Sequence, residues 1–283
     1  MIRFDAYTAT AGGVEPGFMA NLLMTHKCPG DKIVSGHGYH GFQDRTALVD
    51  ESGDAVAAVL WGGERVAGRV LFEVKGERTP DYVATLREKV SAHRCTRVDA
   101  CADFDQEGIF DRVVRQMEEV KAAYRLYGER RGDWDDHPEL GRTFYLGAPS
   151  SAVRARCYEK GKQPEYRFLH KPNWVRLEVQ VRPQKDGREV YAGLPASDVW
   201  GASPWTRDLA ARALAEHVDP HPAGTVYRLS ERQTALRWML RQYGPHLAAE
   251  ARDLGGWDVL GLTLRSMLDD QQAERHTPKR RQE

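Results

Sequence analysis

The sequence contains little cysteine, and its four cysteines form no Cys-x-x-Cys pair. A disulfide scaffold or a zinc ribbon is therefore not expected, and a reducing cytoplasm is the predicted setting. Long hydrophobic runs are also absent: the longest, Ala55 to Trp61, is far shorter than the roughly 20 residues that cross a bilayer. The N-terminus lacks the apolar core of a signal peptide. A cytoplasmic protein with no membrane partner is the expectation.

Several catalytic motifs are absent as well. There is no Gly-x-x-x-x-Gly-Lys-Ser/Thr loop for an ATP-driven motor and no Gly-x-Ser-x-Gly elbow for a serine hydrolase. His37 with His40, and His217 with His221, could each supply two metal ligands, but no third ligand accompanies either pair. The segment Gly36 to Gly41 is therefore predicted to be a turn.

Charge of one sign is not in excess, because 41 Lys and Arg balance 41 Asp and Glu among 283 residues. This balance is the sum of one basic segment and one acidic segment. Arg142 to Arg188 carries eleven basic against four acidic residues, and Asp99 to Glu139 carries twelve acidic against six basic. Taken alone, these blocks favour ordinary solvated surfaces, although a basic block can neutralise phosphates whatever the total charge is.

Hydrophobic periodicity predicts an α+β protein with a mostly antiparallel central sheet covered by helices. Strands are expected at 3–8, 46–51, 55–61, 69–75, 96–104, 143–146, 153–160 and 174–181. Helices are expected at about 79–90 and 107–127, the first with Thr79 as N-cap, and 128–140 is predicted to be a loop. Predicted helices at 203–216, 231–242 and 247–268, the second with a Ser230/Gln233 capping box, form a C-terminal region at 184–270. A disordered tail is expected at 271–283.

Three of these strands carry polar side chains at every second position, and such side chains share one face of a strand. The sets are Arg97, Asp99, Cys101 and Asp103; Arg154, Arg156, Tyr158 and Lys160; and Trp174, Arg176, Glu178 and Gln180. If the strands are neighbours, carboxylates suited to Mg²⁺ or Mn²⁺ converge with basic groups and a tyrosine that could attack phosphorus. Alternation alone, however, is also typical of an ordinary solvated strand face with cross-strand ion pairs.

At these strands the sequence resembles the replication initiation factor (Rep-trans) family of rolling-circle initiators and related relaxases. Four segments carry the resemblance, in order and spacing: TRVDACADF at 96–104, RTFYLG at 142–147, VRARCYEK at 153–160 and VRLEV at 175–179. The similarity extends over about Ile2 to Leu240. Cys101 and Cys157 stand where aliphatic residues are expected, and no His-hydrophobic-His motif is present.

The resemblance implies a metal-dependent nicking-joining enzyme whose catalytic domain is residues 1–183. A tyrosine attacks the origin phosphodiester, stays attached to the 5′ phosphate and frees a 3′ hydroxyl that primes synthesis. The implied catalytic residues are Tyr158, Arg156 and Lys160; the Mg²⁺ or Mn²⁺ ligands are Asp99, Glu178 and Asp103; and the DNA-binding residues are Arg154, Arg176, Arg142 and Lys162.

The resemblance also implies partners, namely origin DNA in single-stranded or supercoiled form, a host helicase and a single-strand binding protein, with a homodimer as one possible assembly. Two other hypotheses stay open. The chain could be a non-catalytic DNA-binding regulator on the same fold, or a relaxase of an integrative conjugative element; a plasmid or a phage is the other setting.

Overall fold

The computed structural model describes residues 1–214, 223–224, 226–227 and 231–276. These residues belong to two compact units, Met1–Tyr227 and Arg228–Glu283. The sheet and the predicted site lie in the first unit. The boundaries predicted for the domains, at residues 183 and 270, stay predictions.

A ten-stranded sheet forms the body of the first unit, with strand order β2-β3-β4-β5-β1-β6-β10-β9-β8-β7 and every neighbouring pair antiparallel. The predicted α+β class with a mostly antiparallel sheet is confirmed. The strands are β1 (Ile2–Ala11), β2 (Lys32–His37), β3 (Asp44–Val49), β4 (Ala55–Trp61), β5 (Val70–Lys75), β6 (Arg94–Asp105), β7 (Gly128–Arg131), β8 (Thr143–Leu146), β9 (Val153–Tyr158) and β10 (Trp174–Val181).

Helices lie between and after the strands. In the first unit they are α1 (Pro16–Leu22), α2 (Thr79–Lys89), α3 (Ile109–Tyr124), α4 (Gly187–Gly193) and α5 (Pro204–Ala213), with a further short parallel pair of strands, β11 (Gln184–Lys185) and β12 (Val226–Tyr227). The second unit contains α6 (Glu231–Asp253) and α7 (Trp257–His276). Among the described residues, no helix is both long and apolar enough to cross a membrane.

The main hydrophobic core lies between one face of the sheet and the helices, and we call this the helix-covered face. Alternate residues of β6 and β10, among them Val98, Ala100 and Val179, point into it. The apolar stripe of α3 packs against them through residues such as Val113 and Met117. Burying each such side chain contributes roughly 1.5–3 kcal/mol, so this face holds the sheet together.

A smaller core lies on the other face, at the β2 to β5 end of the sheet. It consists of Phe42, Ala47, Ala58, Leu60, Val66 and Leu71. Loop residues therefore cover that end, while the middle of this face, over β1, β6, β10 and β9, has none of the helices α1 to α5 packed on it. We call this uncovered middle the open face.

The predicted strands are confirmed with small shifts, but the loop predicted at 128–140 begins only after Arg131. Gly128–Arg131 is β7, an edge strand paired with β8. Its sequence, GERR, has low intrinsic strand preference, and it adopts this conformation because β8 offers unpaired backbone groups. Thr79 is also not the N-cap: it is the first helical residue, and its hydroxyl donates to the Asp5 carbonyl oxygen at 3.0 Å.

The C-terminal helices divide at a different place from the prediction. Residues 243–246 are part of α6, which contains Pro245, and the break occurs after Asp253. Gly255 and Gly256 have φ of 92° and 152°, a region that favours glycine, so the helix ends before them, whereas Pro245 lies within it. The disordered tail predicted at 271–283 is wrong for residues 271–276, which belong to α7. The rest of that tail and the Ser230 cap lie outside the described residues.

Candidate active site

Strands β6, β10 and β9 are direct neighbours, and their register brings the three predicted polar sets onto the open face. Glu178 of β10 lies opposite Cys101 of β6 and Arg156 of β9. Arg176 in turn lies opposite Asp103 and Tyr158. The predicted residues of these strands therefore form one polar surface, the condition on which the sequence-based hypothesis depended.

Two carboxylates in this surface are almost completely buried. Asp99 and Glu178 are each 1% exposed. Arg97 donates from Nε to Asp99 Oδ1 at 2.9 Å, and Arg156 donates from Nη2 to Glu178 Oε2 at 2.8 Å. Burial, reinforced by the charge of Asp99 and opposed by Arg156, raises the pKa of Glu178 to about 8. A further cation at this position would therefore favour ionisation of Glu178.

Asp103 has a different environment from Asp99. Arg176 donates from Nε to Asp103 Oδ1 at 2.7 Å and from Nη1 to Asp5 Oδ1 at 2.6 Å. Burial disfavours the ionised carboxylate, but the hydrogen bonds from Arg176 outweigh it and hold the pKa of Asp103 below its usual range. Asp103 lies four residues from Asp99 along β6, about 13 Å at the strand repeat. Asp103 is thus part of a buried ion-paired network and is too distant to share one ion with Asp99.

Arg176 is enclosed by this network, at 1% exposure, and is not available at the surface. Asp5 reaches it because of a bulge in β1: Phe4 pairs with Ala100, and Ala6 pairs with Asp99, which leaves Asp5 as an extra residue. Simple alternation would not reveal this bulge. Asp5 is consequently a structural residue of the site that the sequence analysis missed.

Tyr158 lies at the end of β9 with its ring 5.0 Å from the Arg156 guanidinium. It is 7% exposed, and its hydroxyl has no hydrogen-bond partner among the described residues. Burial, and then the charge of Glu178, raise its pKa above the ordinary value. The phenol is therefore protonated and unpartnered, and it needs an external group to stabilise the phenolate.

A cavity of about 110 Å³ opens beside these groups, lined by Arg97, Tyr145, Arg154, Ala155, Arg156, Glu178 and Gln180. The Nε atoms of Arg154 and Arg156 are buried and have no acceptor. Unpartnered buried donors are unfavourable, so this cavity has the chemistry of a site for an anion with several acceptor oxygens. Tyr145, whose ring is 3.9 Å from the Arg154 guanidinium, was missed as a lining residue, although alternation within TFYL would have placed it on this face.

Lys160 lies just beyond β9, in a 3-10 turn at Lys160–Lys162. It is 2% exposed, and its Nζ is 4.4 Å from the ring centroid of Tyr166 and 4.6 Å from that of Trp174. Burial, with the charge of Arg176, lowers its pKa. Lys160 is held between aromatic rings, and it does not line the small cavity.

Arg142 and Lys162 belong to a separate cluster around Glu159. Arg142 Nη2 is 3.0 Å and Lys162 Nζ is 2.8 Å from Glu159 Oε1, and Arg142 also pairs with Asp111 at 3.0 Å. Of the four residues predicted to bind DNA, the structure therefore places Arg154 alone in the cavity. Lys162 also lines a surface depression of about 710 Å³ together with three other basic side chains, those of Arg167, His170 and Lys171.

The described residues contain no group of three or more His, Cys, Asp or Glu side chains that could enclose a metal ion. Mg²⁺, however, is commonly bound by one or two carboxylates together with water and substrate phosphate oxygens. Asp99 and Glu178 are such a pair of hard oxygen donors. Their positions, diagonal to one another on adjacent strands, fit this partial ligand set.

The fold and this surface define a class of protein, an α+β protein with a basic and acidic site on an antiparallel sheet. A model of the replication initiation factor family matches residues 93–239, slightly more than half of the chain. The chain therefore belongs to the replication initiation factor family. The matched segment includes β6, β9 and β10, and with them the predicted site residues.

Comparison with solved structures gives a similarity to a rolling-circle replication initiator protein from Geobacillus stearothermophilus. The two chains are 18% identical, the match covers 71% of this chain and 82% of that chain, and the TM-score is 0.48. At this identity and TM-score the similarity says nothing about activity. Among curated proteins no match is found.

Proposed function

We propose that this protein initiates rolling-circle DNA replication by metal-dependent nicking of an origin, with Tyr158 as the nucleophile. One observation carries the proposal: a tyrosine, unpartnered arginine donors and two buried carboxylates occupy adjacent strands of one face in a replication initiation factor. A surface that only binds DNA has no need for buried carboxylates beside a tyrosine.

Each group has a role in the proposed reaction. Arg154 and Arg156 bind the scissile phosphate through the donors that lack partners. The Tyr158 hydroxyl loses its proton to solvent as its oxygen attacks phosphorus, an O–P bond forms, and the P–O3′ bond breaks, with the leaving 3′ oxygen taking up a proton to become a 3′ hydroxyl. Asp99 and Glu178 would hold a divalent cation, and the chemistry that such an ion would supply is polarisation of a phosphate oxygen. Arg176 positions the strands through Asp103 and does not touch the DNA.

The test is a nicking assay on supercoiled plasmid that carries the DNA flanking the protein's own gene, with Mg²⁺ or Mn²⁺. We expect relaxed plasmid and a covalent protein–DNA adduct with the native protein. Tyr158→Phe should abolish the adduct while leaving DNA binding unchanged within about twofold. Tyr145→Phe is the matched control, because it removes a phenol that also lies beside an arginine of the cavity, Arg154, and it should retain the adduct. Loss in Tyr145→Phe with retention in Tyr158→Phe would move the nucleophile to Tyr145.

The proposed cation site has a test that does not depend on nicking. Ligands that bind only the folded state raise its stability. Mg²⁺ or Mn²⁺ should therefore raise the Tm of the native protein, and Asp99→Asn and Glu178→Gln should each abolish this rise. Asp105→Asn, an exposed carboxylate at the end of β6, should leave it intact. An equal rise in all four proteins would contradict the assignment.

The burial of Tyr158 favours one alternative, a non-catalytic DNA-binding regulator on the same fold. That alternative predicts DNA binding without an adduct under any divalent metal, so the nicking assay separates the two. For the proposed initiator we expect a host helicase and a single-strand binding protein as partners, since the chain has no motor motif. The setting, whether plasmid, phage or integrative element, would follow from the DNA that the protein nicks.

A further inference from the structure

A second and larger cavity opens on the same side of the sheet, one strand away from the candidate active site. Its volume is about 330 Å³, and its polar lining comes from Tyr39, Arg45, Glu73, Lys75 and Arg97. Arg97 also lines the smaller cavity and pairs with Asp99, so the two cavities meet at this residue. The larger cavity is therefore continuous with the surface proposed to bind the scissile phosphate.

The strand register gives the distance from Glu73, in the larger cavity, to Arg97, which lines both cavities. Thr8 of β1 lies opposite Glu73 of β5 on one side and Arg97 of β6 on the other. Glu73 and Arg97 are thus two strand spacings apart, about 10 Å. Arg154 and Arg156, which bind the scissile phosphate in the proposed reaction, lie on β9, two strands beyond Arg97. They are therefore four strand spacings, about 20 Å, from Glu73, a distance that a flexible DNA strand covers within a few nucleotides.

The lining combines an aromatic ring with hydrogen-bonding groups. Tyr39 is 37% exposed, and its hydroxyl donates to Glu73 Oε1. Burial, together with Glu73, raises the pKa of Tyr39 to about 12, so the phenol remains a donor at neutral pH. The second carboxylate oxygen of Glu73 has no partner in the described part of the chain. The Arg45 guanidinium lies 6.0 Å from the Tyr39 ring centroid, and its Nε is buried without an acceptor.

The loop that carries Tyr39 is held in position before any ligand binds. The Gly38 N–H donates to the Gln43 carbonyl oxygen at 2.7 Å, and a Cβ at Gly38 would lie 2.6 Å from the Phe42 oxygen. His40 and Gly41 both have positive φ, which closes the turn. A ring that is fixed in this way loses little conformational entropy when a planar ligand stacks on it.

We propose that this cavity binds one unpaired base of the DNA strand, a few nucleotides away from the one whose phosphate is attacked. The base stacks on Tyr39, its exocyclic amino group donates to Glu73, and Arg45 donates to a ring acceptor. The proposal rests on the proposed function for the course of the DNA and adds a recognition site to it. Cytosine, adenine and guanine carry an exocyclic amino group and thymine does not, so the cavity disfavours thymine.

The experiment measures binding of fluorescent 12-nucleotide single strands, oligo-dC, oligo-dA and oligo-dT, by polarisation in Mg²⁺-free buffer. The native protein should bind oligo-dC or oligo-dA at least about threefold more tightly than oligo-dT. Tyr39→Ala should weaken binding to all three strands by about tenfold, which is within the range for one base stacked on an aromatic ring. Glu73→Gln, which preserves shape, should remove the preference and leave binding to oligo-dT unchanged.

Two controls match these variants. Tyr124→Ala removes an exposed tyrosine from α3, in the helix layer, and Glu88→Gln neutralises an exposed carboxylate of α2. Both should bind all three strands as the native protein does. Circular dichroism melting of each variant separates a loss of binding from a loss of folding, and the exposed Tyr39 ring should be removable without lowering the Tm by more than a few degrees.

The outcomes separate this site from the proposed nicking. Equal binding by native protein and Tyr39→Ala, in a preparation that nicks DNA, overturns the base site and leaves the nickase intact. A Tyr39-dependent base preference in a protein that forms no adduct supports the base site while the nickase fails. Free dCMP or dAMP that binds at micromolar concentration, with no effect of Tyr39→Ala on DNA binding, assigns the cavity to a free nucleotide and overturns the proposal.

Discussion

His93 is a residue whose protonation should control stability at low pH. It is buried, its Nδ1 is 2.6 Å from the Val90 carbonyl oxygen, and its Nε2 is 2.8 Å from the Tyr7 hydroxyl. If Nδ1 carries the proton, Nε2 accepts from Tyr7, so a second proton would remove that acceptor. Burial lowers the pKa of His93, so the unfolded chain binds a proton at a higher pH than the folded chain does. Stability is then fully present above about pH 6.5 and falls as the pH drops further.

We therefore expect the Tm of the native protein to fall between pH 7 and pH 5 more steeply than that of His93→Gln, whose amide can still accept from Tyr7. Thermal melts at several pH values measure the difference between the two proteins. Parallel curves would show that other groups, and not His93, cause the acid sensitivity.

Single side chains show how much of the candidate site could be predicted from the sequence alone. Period-two alternation correctly placed Asp99, Tyr158 and Glu178 on one face, because a strand leaves each side chain only two directions. It could not show that Arg176, equally polar and on the same face, is enclosed by Asp103 and Asp5. Which polar residue is exposed and which is buried depends on neighbours from other strands, and these neighbours are far apart in the chain.

At the scale of elements, Arg176 is the link between three strands, since it pairs with Asp5 of β1 and Asp103 of β6 from its place in β10. Without Arg176, Asp103 keeps Arg3 at 3.2 Å, but Asp5 is left without a cation. Leaving one charge of a buried ion pair uncompensated costs about 3–5 kcal/mol. We expect Arg176→Met to lower the free energy of unfolding by that amount in urea denaturation. Arg115→Met, on the exposed side of α3, should change it by less than about 0.5 kcal/mol.

A second variant tests the reason for that loss. Changing Asp5 and Asp103 to Asn together with Arg176→Met removes the uncompensated charges, so much of the lost stability should return. If the triple variant is as unstable as Arg176→Met, packing of the arginine, and not its charge, holds the strands.

Elements with weak local signals, such as β7 and the bulge in β1, could not be predicted because pairing with a distant strand decides their conformation.

At the scale of the whole molecule, the equal numbers of 41 basic and 41 acidic residues limit how strongly the protein can bind DNA without specific contacts. Around the small cavity, Arg97, Arg154 and Arg156 face the two carboxylates Asp99 and Glu178, so few positive charges are uncompensated.

Each phosphate neutralised on single-stranded DNA contributes about 0.7 to the slope of log K against log salt. We therefore expect a shallow slope, about −1 to −2, on single strands of random sequence. Arg154→Gln should reduce its magnitude by about 0.7, whereas Arg112→Gln, exposed on α3, should leave it unchanged. A slope steeper than about −4 on random DNA would mean that a larger basic surface, such as the depression lined by Lys162, Arg167 and Lys171, carries the binding. Specificity would then depend less on the two cavities of the open face.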